Sequence, residues 1–315
     1  MESWFNNLFG NILNTPECAF GHGVFALCHE TTLWQNHSKK DVILHDRGHF
    51  NFSEFLMKKI PVLMYHALED AQHPSGQDSL SERVYVLTRE QFAEQMAYLQ
   101  QNGFTPLLAR QLQQADLPQK PVVISFDDGH VSNFHLALPI LLKLQFVATF
   151  FITTGFIKQA HYLNPEQIRF LAKSGMEIGS HSVSHPFFDD LTAQQVRYEL
   201  AHSKQELAKI SGQNIVNFSA PGGRLHLQTC QLAQQQGYQG VFGSTFGLYQ
   251  QPLLCNIPRI AIKRHTSMAQ FKQLVAQNRW LLVKKRLLDV GLSHSKKLLG
   301  NDHYLKIRHF LLGQK

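Results

Sequence analysis

From residue 60 onward, short apolar and β-branched runs alternate with segments that carry helix-start signals, and this rhythm constrains the fold more than any other feature. Runs at 60–66, 122–128, 147–153, 176–180, 217–221, 240–245 and 257–262 read as strands. The helices between them have chemical punctuation. Thr88 and Gln91 form a capping box ahead of an apolar period that runs through Leu99 and stops before Gly103. Asn164 and Pro165 open a helix that Gly175 ends, and Thr192 with Gln195 opens another that runs to about residue 210. A helix over 132–144 is expected to be interrupted near Pro139. Regular β–α alternation makes a mostly parallel sheet, and around eight strands in one run of about 200 residues favour closure into a barrel over two domains.

Composition removes several other classes. With 43% hydrophobic and 17% charged residues the chain is not disordered. Four Cys without a CxxC pair exclude a disulfide scaffold, a zinc ribbon and a thioredoxin-like redox motif. No uninterrupted apolar run reaches the ~18 residues of a spanning helix.

The net charge of +7 is unevenly placed. Residues 57–262 hold equal numbers of acids and bases, so a nucleic-acid groove is not expected there. The excess lies beyond residue 262, where apolar and basic residues interleave. That segment is expected to form a basic helical extension over 268–315. Residues 271–312 could touch an anionic membrane peripherally or pack on the barrel with a solvated basic face. At the other end, Met57-Lys58-Lys59-Ile60-Pro61 reads as the start of a domain, so residues 1–56 are expected to lie outside it as an extension. No signal peptide is read from Met1 or Met57, and the expectation is a cytoplasmic protein, peripheral to the inner face of the membrane.

Two clusters at expected strand ends carry chemistry. Asp127 and Asp128 leave one strand side by side, and a metal ion or a shared proton would relieve their repulsion. His181 and His185 stand at i, i+4, which on a helical turn puts both imidazoles on one face, the spacing zinc enzymes use. Ser182 follows the first His, so the Glu base of a metalloprotease motif is missing. Each cluster alone also suits ordinary turn chemistry. Together they supply two His and one Asp for a catalytic Zn²⁺ with an open position, and a second Asp to act on water.

Phe126-Asp127-Asp128-Gly129 followed by His181-Ser182-Val183-Ser184-His185-Pro186 resembles the NodB-homology polysaccharide deacetylases, carbohydrate esterase family four. Pro61-Val62-Leu63-Met64-Tyr65-His66, Ser219-Ala220-Pro221-Gly222-Gly223, Gly237-Tyr238 and Pro258-Arg259-Ile260 extend the resemblance over roughly residues 57–270. It implies a deformed (β/α) barrel over 57–267. It also implies metal-dependent hydrolysis of the N-acetyl group of an N-acetylhexosamine unit in a glycan, with Zn the expected metal. By position, Asp127 would be the general base, and Asp128, His181 and His185 the metal ligands. The backbone near Pro221 and Gly222 would support the oxyanion.

Departures from the pattern leave roles open. Ser219 stands where many relatives have the arginine that orients the base, and either Arg224 or Arg259 could replace it. The fourth, Asp-rich motif is not recognisable. The late Leu-x-His motif is unclear, and His265, just past the last strand, is the candidate for protonating the leaving amine. His66, at a strand end, is expected at the same mouth. Two other readings remain on sequence grounds: a carbohydrate-binding or regulatory protein with a weakened site, and a hydrolase of a non-sugar amide.

Overall fold

The computed structural model describes residues 58–277. Strand β1 (Val62–Tyr65) is followed by the short paired strands β2 (Leu68–Glu69) and β3 (Leu87–Thr88), helix α1 (Arg89–Gln101) and β4 (Thr105–Leu107). Strand β5 (Pro121–Phe126) leads into a π turn at Asn133–Ala137 and α2 (Leu138–Lys143). Then come β6 (Thr149–Ile152), α3 (Pro165–Lys173), β7 (Glu177–Ser180) and α4 (Ala193–Ser211). Strand β8 (Asn217–Ser219), α5 (Leu227–Gln235), β9 (Gly240–Phe246), β10 (Ile257–Ala261) and α6 (Met268–Val275) complete the described chain.

Seven parallel strands close on themselves in the order β1-β10-β9-β8-β7-β6-β5, with β5 returning to β1. The closure is deformed, and the register says how. Val123 of β5 pairs with both Val62 of β1 and Leu107 of β4, so β1 and β4 lie on opposite edges of β5. Ser125 and Phe126 pair with both β1 and β6, which puts β6 on the same edge as β4. Strand β4 is therefore a wedge between β5 and β6 at their start, an eighth strand that spreads the barrel at one end.

The two-residue period of a strand sorts the core into two layers. Val122, Ile124 and Phe126, with Phe150, Ile178, Phe218 and Ile260, pack outward under the helices. Val62, Val123, Phe151, Phe242 and Ile257 fill the barrel. A polar layer lies beside this filling at the closed end, where Glu177 accepts from Asn217 Nδ2 at 2.6 Å and Thr149 Oγ1 at 3.1 Å. Gly179 is required between the layers, because a Cβ there would stand 2.5 Å from the Phe151 ring. Continuing the same parity past Ser125, Gly179, Asn217 and Ile257 brings Asp127, His181, Ser219 and Arg259 to the barrel's interior at its open end.

The expected elements form with shifted ends. Capping boxes are made at Thr88, Asn164 and Thr192, each Gln at the third helical position returning a bond to the cap. The break near Pro139 takes the form of the π turn ahead of α2, with Pro139 in the first turn of the α-helical part. Strand β4, the β2–β3 pair and α5 are additions to the sequence reading.

Three expectations are corrected. The His181–His185 segment is not a helical turn: Ser182 (φ +72°) and His185 (φ +58°) have left-handed backbone, and the chain there is irregular. The boundary at 267/268 divides the barrel from one of its own helices, since Phe271, Leu274 and Val275 of α6 are buried in the core. Those three side chains, at the start of the 271–312 segment, face protein and not membrane. The remainder of that segment, the rest of the 268–315 extension and the whole of 1–56 lie outside the described residues. Cys230 of α5 and Cys255 before β10 form a disulfide, their Cα atoms 5.8 Å apart, within the usual span of such a bridge. Among the described residues no helix is long and apolar enough to cross a membrane.

Candidate active site

The site lies where the parallel strands end, as open and closed α/β sheets usually arrange it. Asp127 and Asp128 follow β5, His181 follows β7, Pro221 and Gly222 follow β8, and His66 follows β1. Strand alternation alone would send Asp128 toward the helix layer. Its left-handed backbone (φ +73°) breaks the alternation, and its Oδ1 lies 3.3 Å from both His181 Nε2 and His185 Nε2.

These three side chains suit a divalent cation. One ligand atom from each lies within 4.8 Å of the others. His181 Nδ1 is 2.7 Å from the Ser219 carbonyl, to which it donates, so Nε2 presents its lone pair inward. Asp128 Oδ1 is buried without a hydrogen-bond partner among the described residues. Lone pairs converging on an unsatisfied carboxylate oxygen describe a place for a positive ion. The close charges also shift the titration of these groups. Burial pushes the Asp128 carboxyl up, but its contacts with His181 and His185 outweigh this and hold it well below the ordinary value. Burial pushes His181 down, and the nearby Asp127 and Asp128 carboxylates reverse that and raise it.

Asp127 is set apart from this trio by a different partner. It is 2% exposed and its carboxylate takes both prongs of Arg259, at 2.8 and 2.7 Å. Arg259 Nε donates to the Gly243 carbonyl at 2.8 Å and Nη2 also donates to Ser219 Oγ at 2.8 Å. The Ser219 hydroxyl in turn lies 3.3 Å from Asp127 Oδ2. Burial raises the Asp127 carboxyl, and the Arg259 guanidinium, followed by His181, brings it below its ordinary value. Of the two arginines the sequence left open, Arg259 is the one that reaches Asp127. Arg224 lies over the Phe187 ring, 4.1 Å from its centroid.

His66 lies beside the two carboxylates, and His265 is further along the chain, past the end of β10. The His66 ring lies tilted against Tyr85, their centroids 4.7 Å apart, its carbonyl is held by Asn133 Nδ2 at 2.7 Å, and its Nδ1 is buried without a hydrogen-bond partner among the described residues. Burial lowers its pKa, with Asp128 and Asp127 close enough to oppose the shift. His265 is exposed on the turn after β10, and its neighbour Arg264 is tied away from the site to Glu69 at 2.6 Å and to Val86. His130 is buried and bonded to Ser132 and the Ser75 carbonyl. Pro221 is buried and Gly222 exposed (φ +62°) at the rim.

Tyr162 was not foreseen. It is half-buried at the rim, its ring 4.6 Å from Phe156, and its hydroxyl is pushed up by burial and then by Asp128. No short motif marks it. A cavity of about 540 Å³ opens at the opposite end of the barrel, around Lys58, Lys59, Lys120 and Phe104, and contains no motif residue.

Comparison with known proteins finds relatives for this fold. Residues 114–241 match the model of the polysaccharide deacetylase family. The Bacillus subtilis protein YxkH, whose name carries the same family, is 33% identical over 186 residues, 58% of this chain and 63% of its own. The peptidoglycan-N-acetylmuramic acid deacetylase PdaA of the same organism is 31% identical over 128 residues, 40% of this chain and 47% of its own. The chain thus spans less than two thirds of the length of these curated relatives. Among solved structures, the Streptococcus pyogenes deacetylase PplD in complex with acetate aligns with a TM-score of 0.62 at 27% identity, over 70% of this chain and 99% of that one. The deformed barrel, the site at its open end and these matches lead to one conclusion: over its barrel the chain is similar to the NodB-homology polysaccharide deacetylases, and residues 114–241 match that family's model.

Proposed function

We propose that the chain is a metal-dependent hydrolase that removes the N-acetyl group from N-acetylhexosamine units of a glycan. The observation that carries this reading is the division of labour between adjacent carboxylates: Asp128 faces two histidines and Asp127 faces an arginine. Asp128, His181 and His185 would hold the ion, most suitably Zn²⁺ given two imidazoles and one carboxylate. When bound, it would supply a Lewis acid for the amide carbonyl and for water.

The rest is work for the chain's own groups. Arg259 keeps Asp127 ionised and fixes the plane of its carboxylate. In that state Asp127 can accept a proton from the attacking water. That proton must reach the departing nitrogen, and His66, facing both carboxylates with Nδ1 unpartnered, is the side chain suited to relay it. Our reading gives this role to His66, where the sequence motifs pointed to His265. The rim at Pro221 and Gly222 offers backbone to the acetyl oxygen, and Phe187 with Arg224 flanks the same rim.

The compartment is inferred from the disulfide. Cys230–Cys255 would persist where thiols are kept oxidised, which argues against the cytoplasmic expectation. The reading is tested by acetate release from N-acetylglucosamine oligomers. Activity abolished by a chelator and restored by Zn²⁺ is expected, and full activity in chelator would overturn it.

A further inference from the structure

Helix α4 carries an acid on its apolar stripe. Val196, Leu200, Ser203 and Leu207 are its buried positions, and Glu199 is among them, 7% exposed. A carboxylate at such a place needs several partners. Glu199 finds them in the turn between the two histidines. Its Oε2 accepts from Val183 N at 2.7 Å and Ser184 N at 3.0 Å, and its Oε1 accepts from Ser184 Oγ at 2.7 Å.

That turn is held from both sides. The carbonyls of Ser182 and Val183 accept from Thr154 N at 3.1 Å and Gly155 N at 2.8 Å, in the loop after β6. Only glycine allows this approach, since a Cβ on residue 155 would stand 2.5 Å from the Val183 oxygen. Within the turn, His185 N donates to Ser182 Oγ at 3.0 Å. The turn needs such support because Ser182 and His185 both have left-handed backbone, a conformation that costs about 1–3 kcal/mol at each non-glycine residue and persists where surroundings impose it.

We propose that Glu199 is a positioning residue for the metal centre: by accepting every polar hydrogen of Val183 and Ser184, it fixes the turn in the one shape that brings His181 and His185 to a common ion. The inference rests on the metal reading above. It assigns to a residue outside the motifs the spacing of two ligands that lie on no helix. The bonding also dictates which substitute can serve. A glutamine at 199 can accept both backbone N–H groups at its carbonyl oxygen and donate its amide to Ser184 Oγ, whose lone pairs are free to reverse the bond. Alanine offers none of these, and aspartate withdraws the acceptors by one methylene.

The test is a Zn²⁺ titration of the chelator-stripped full chain against a fluorescent chelator, with folding checked by circular dichroism. Glu199→Ala is expected to weaken the Zn²⁺ Kd by about 10–100-fold, the range found for partners that orient ligands. Glu199→Gln should stay within about threefold of the parent, since the pattern is preserved. Gln195→Ala, which removes the returning half of the capping box of the same helix, should lower Tm without moving the Kd. Should Glu199→Ala fail to fold, Glu199→Asp takes its place with the same expected direction. A folded alanine or aspartate variant with the parent's Kd overturns the proposal, and so does a glutamine variant as weak as alanine, because charge and not positioning would then be at work. If the parent binds no Zn²⁺, or His181→Ala binds it equally well, the metal reading itself fails and this inference with it.

Discussion

Arg259→Met isolates the part of the site that least resembles a standard motif. The arginine is 1% exposed and makes four hydrogen bonds, two of them to Asp127. Methionine keeps much of the stem's volume and removes the charge. A carboxylate left ionised and unpaired in that position would cost about 3–5 kcal/mol. Asp127 would avoid part of this cost by binding a proton. In the parent its folded pKa lies below the ordinary 3.8, so its stabilisation is present above that value and lost as pH falls through the folded one. In the variant only burial and weaker neighbours act, burial raises the pKa, and the sign reverses: the variant loses stability as pH rises through the unfolded value. The stability gap should therefore widen from pH 4 to pH 8 and flatten once pH passes the raised pKa, measured by urea denaturation of chelator-treated protein. In the pH profile of kcat/KM the acid limb should move upward, with about a tenfold loss for each unit by which the raised pKa exceeds the assay pH. An unmoved acid limb together with an equal stability gap at both pH values would refute the argument that Arg259 holds the base ionised.

Asp127→Asn should abolish acetate release while leaving Zn²⁺ content unchanged; parental activity in that variant would remove the base from its role. His66→Gln should lower kcat far more than it raises KM, whereas His265→Gln should leave both within about twofold of the parent, as expected for an exposed residue. Cys230→Ser opens a covalent loop of 25 residues and should cost about 3.5 kcal/mol by loop entropy, read as a lower urea midpoint than the parent's under non-reducing conditions. An equal midpoint in parent and variant would mean that the bridge is not formed in solution.

Much of this protein could be read along the chain. Capping boxes at Thr88, Asn164 and Thr192 depend on residues three apart, and β-branched runs bounded by turn chemistry depend on neighbours, so local sequence carries them. The ordered motifs likewise led to Asp127, Asp128, His181 and His185, and the structure brings the last three together. What local sequence could not supply depends on contacts between distant positions. The choice of Arg259 over Arg224 is made across 132 residues, by strand parity and by a barrel closure that sets β10 and β5 on the two edges of β1. His66 directly follows β1, whereas His265 is exposed four residues beyond the end of β10, a difference that depends on where the strands end. The turn at Ser182 and His185 looked helical by spacing, because i, i+4 is a helical period whether or not the backbone is helical. Its real shape is imposed by Glu199 and Gly155 from two other elements. Sequence determined the elements and the kinds of chemistry available. Tertiary structure decided which charge faces which, because a buried carboxylate takes its character from whatever the closed barrel brings within hydrogen-bonding distance of it.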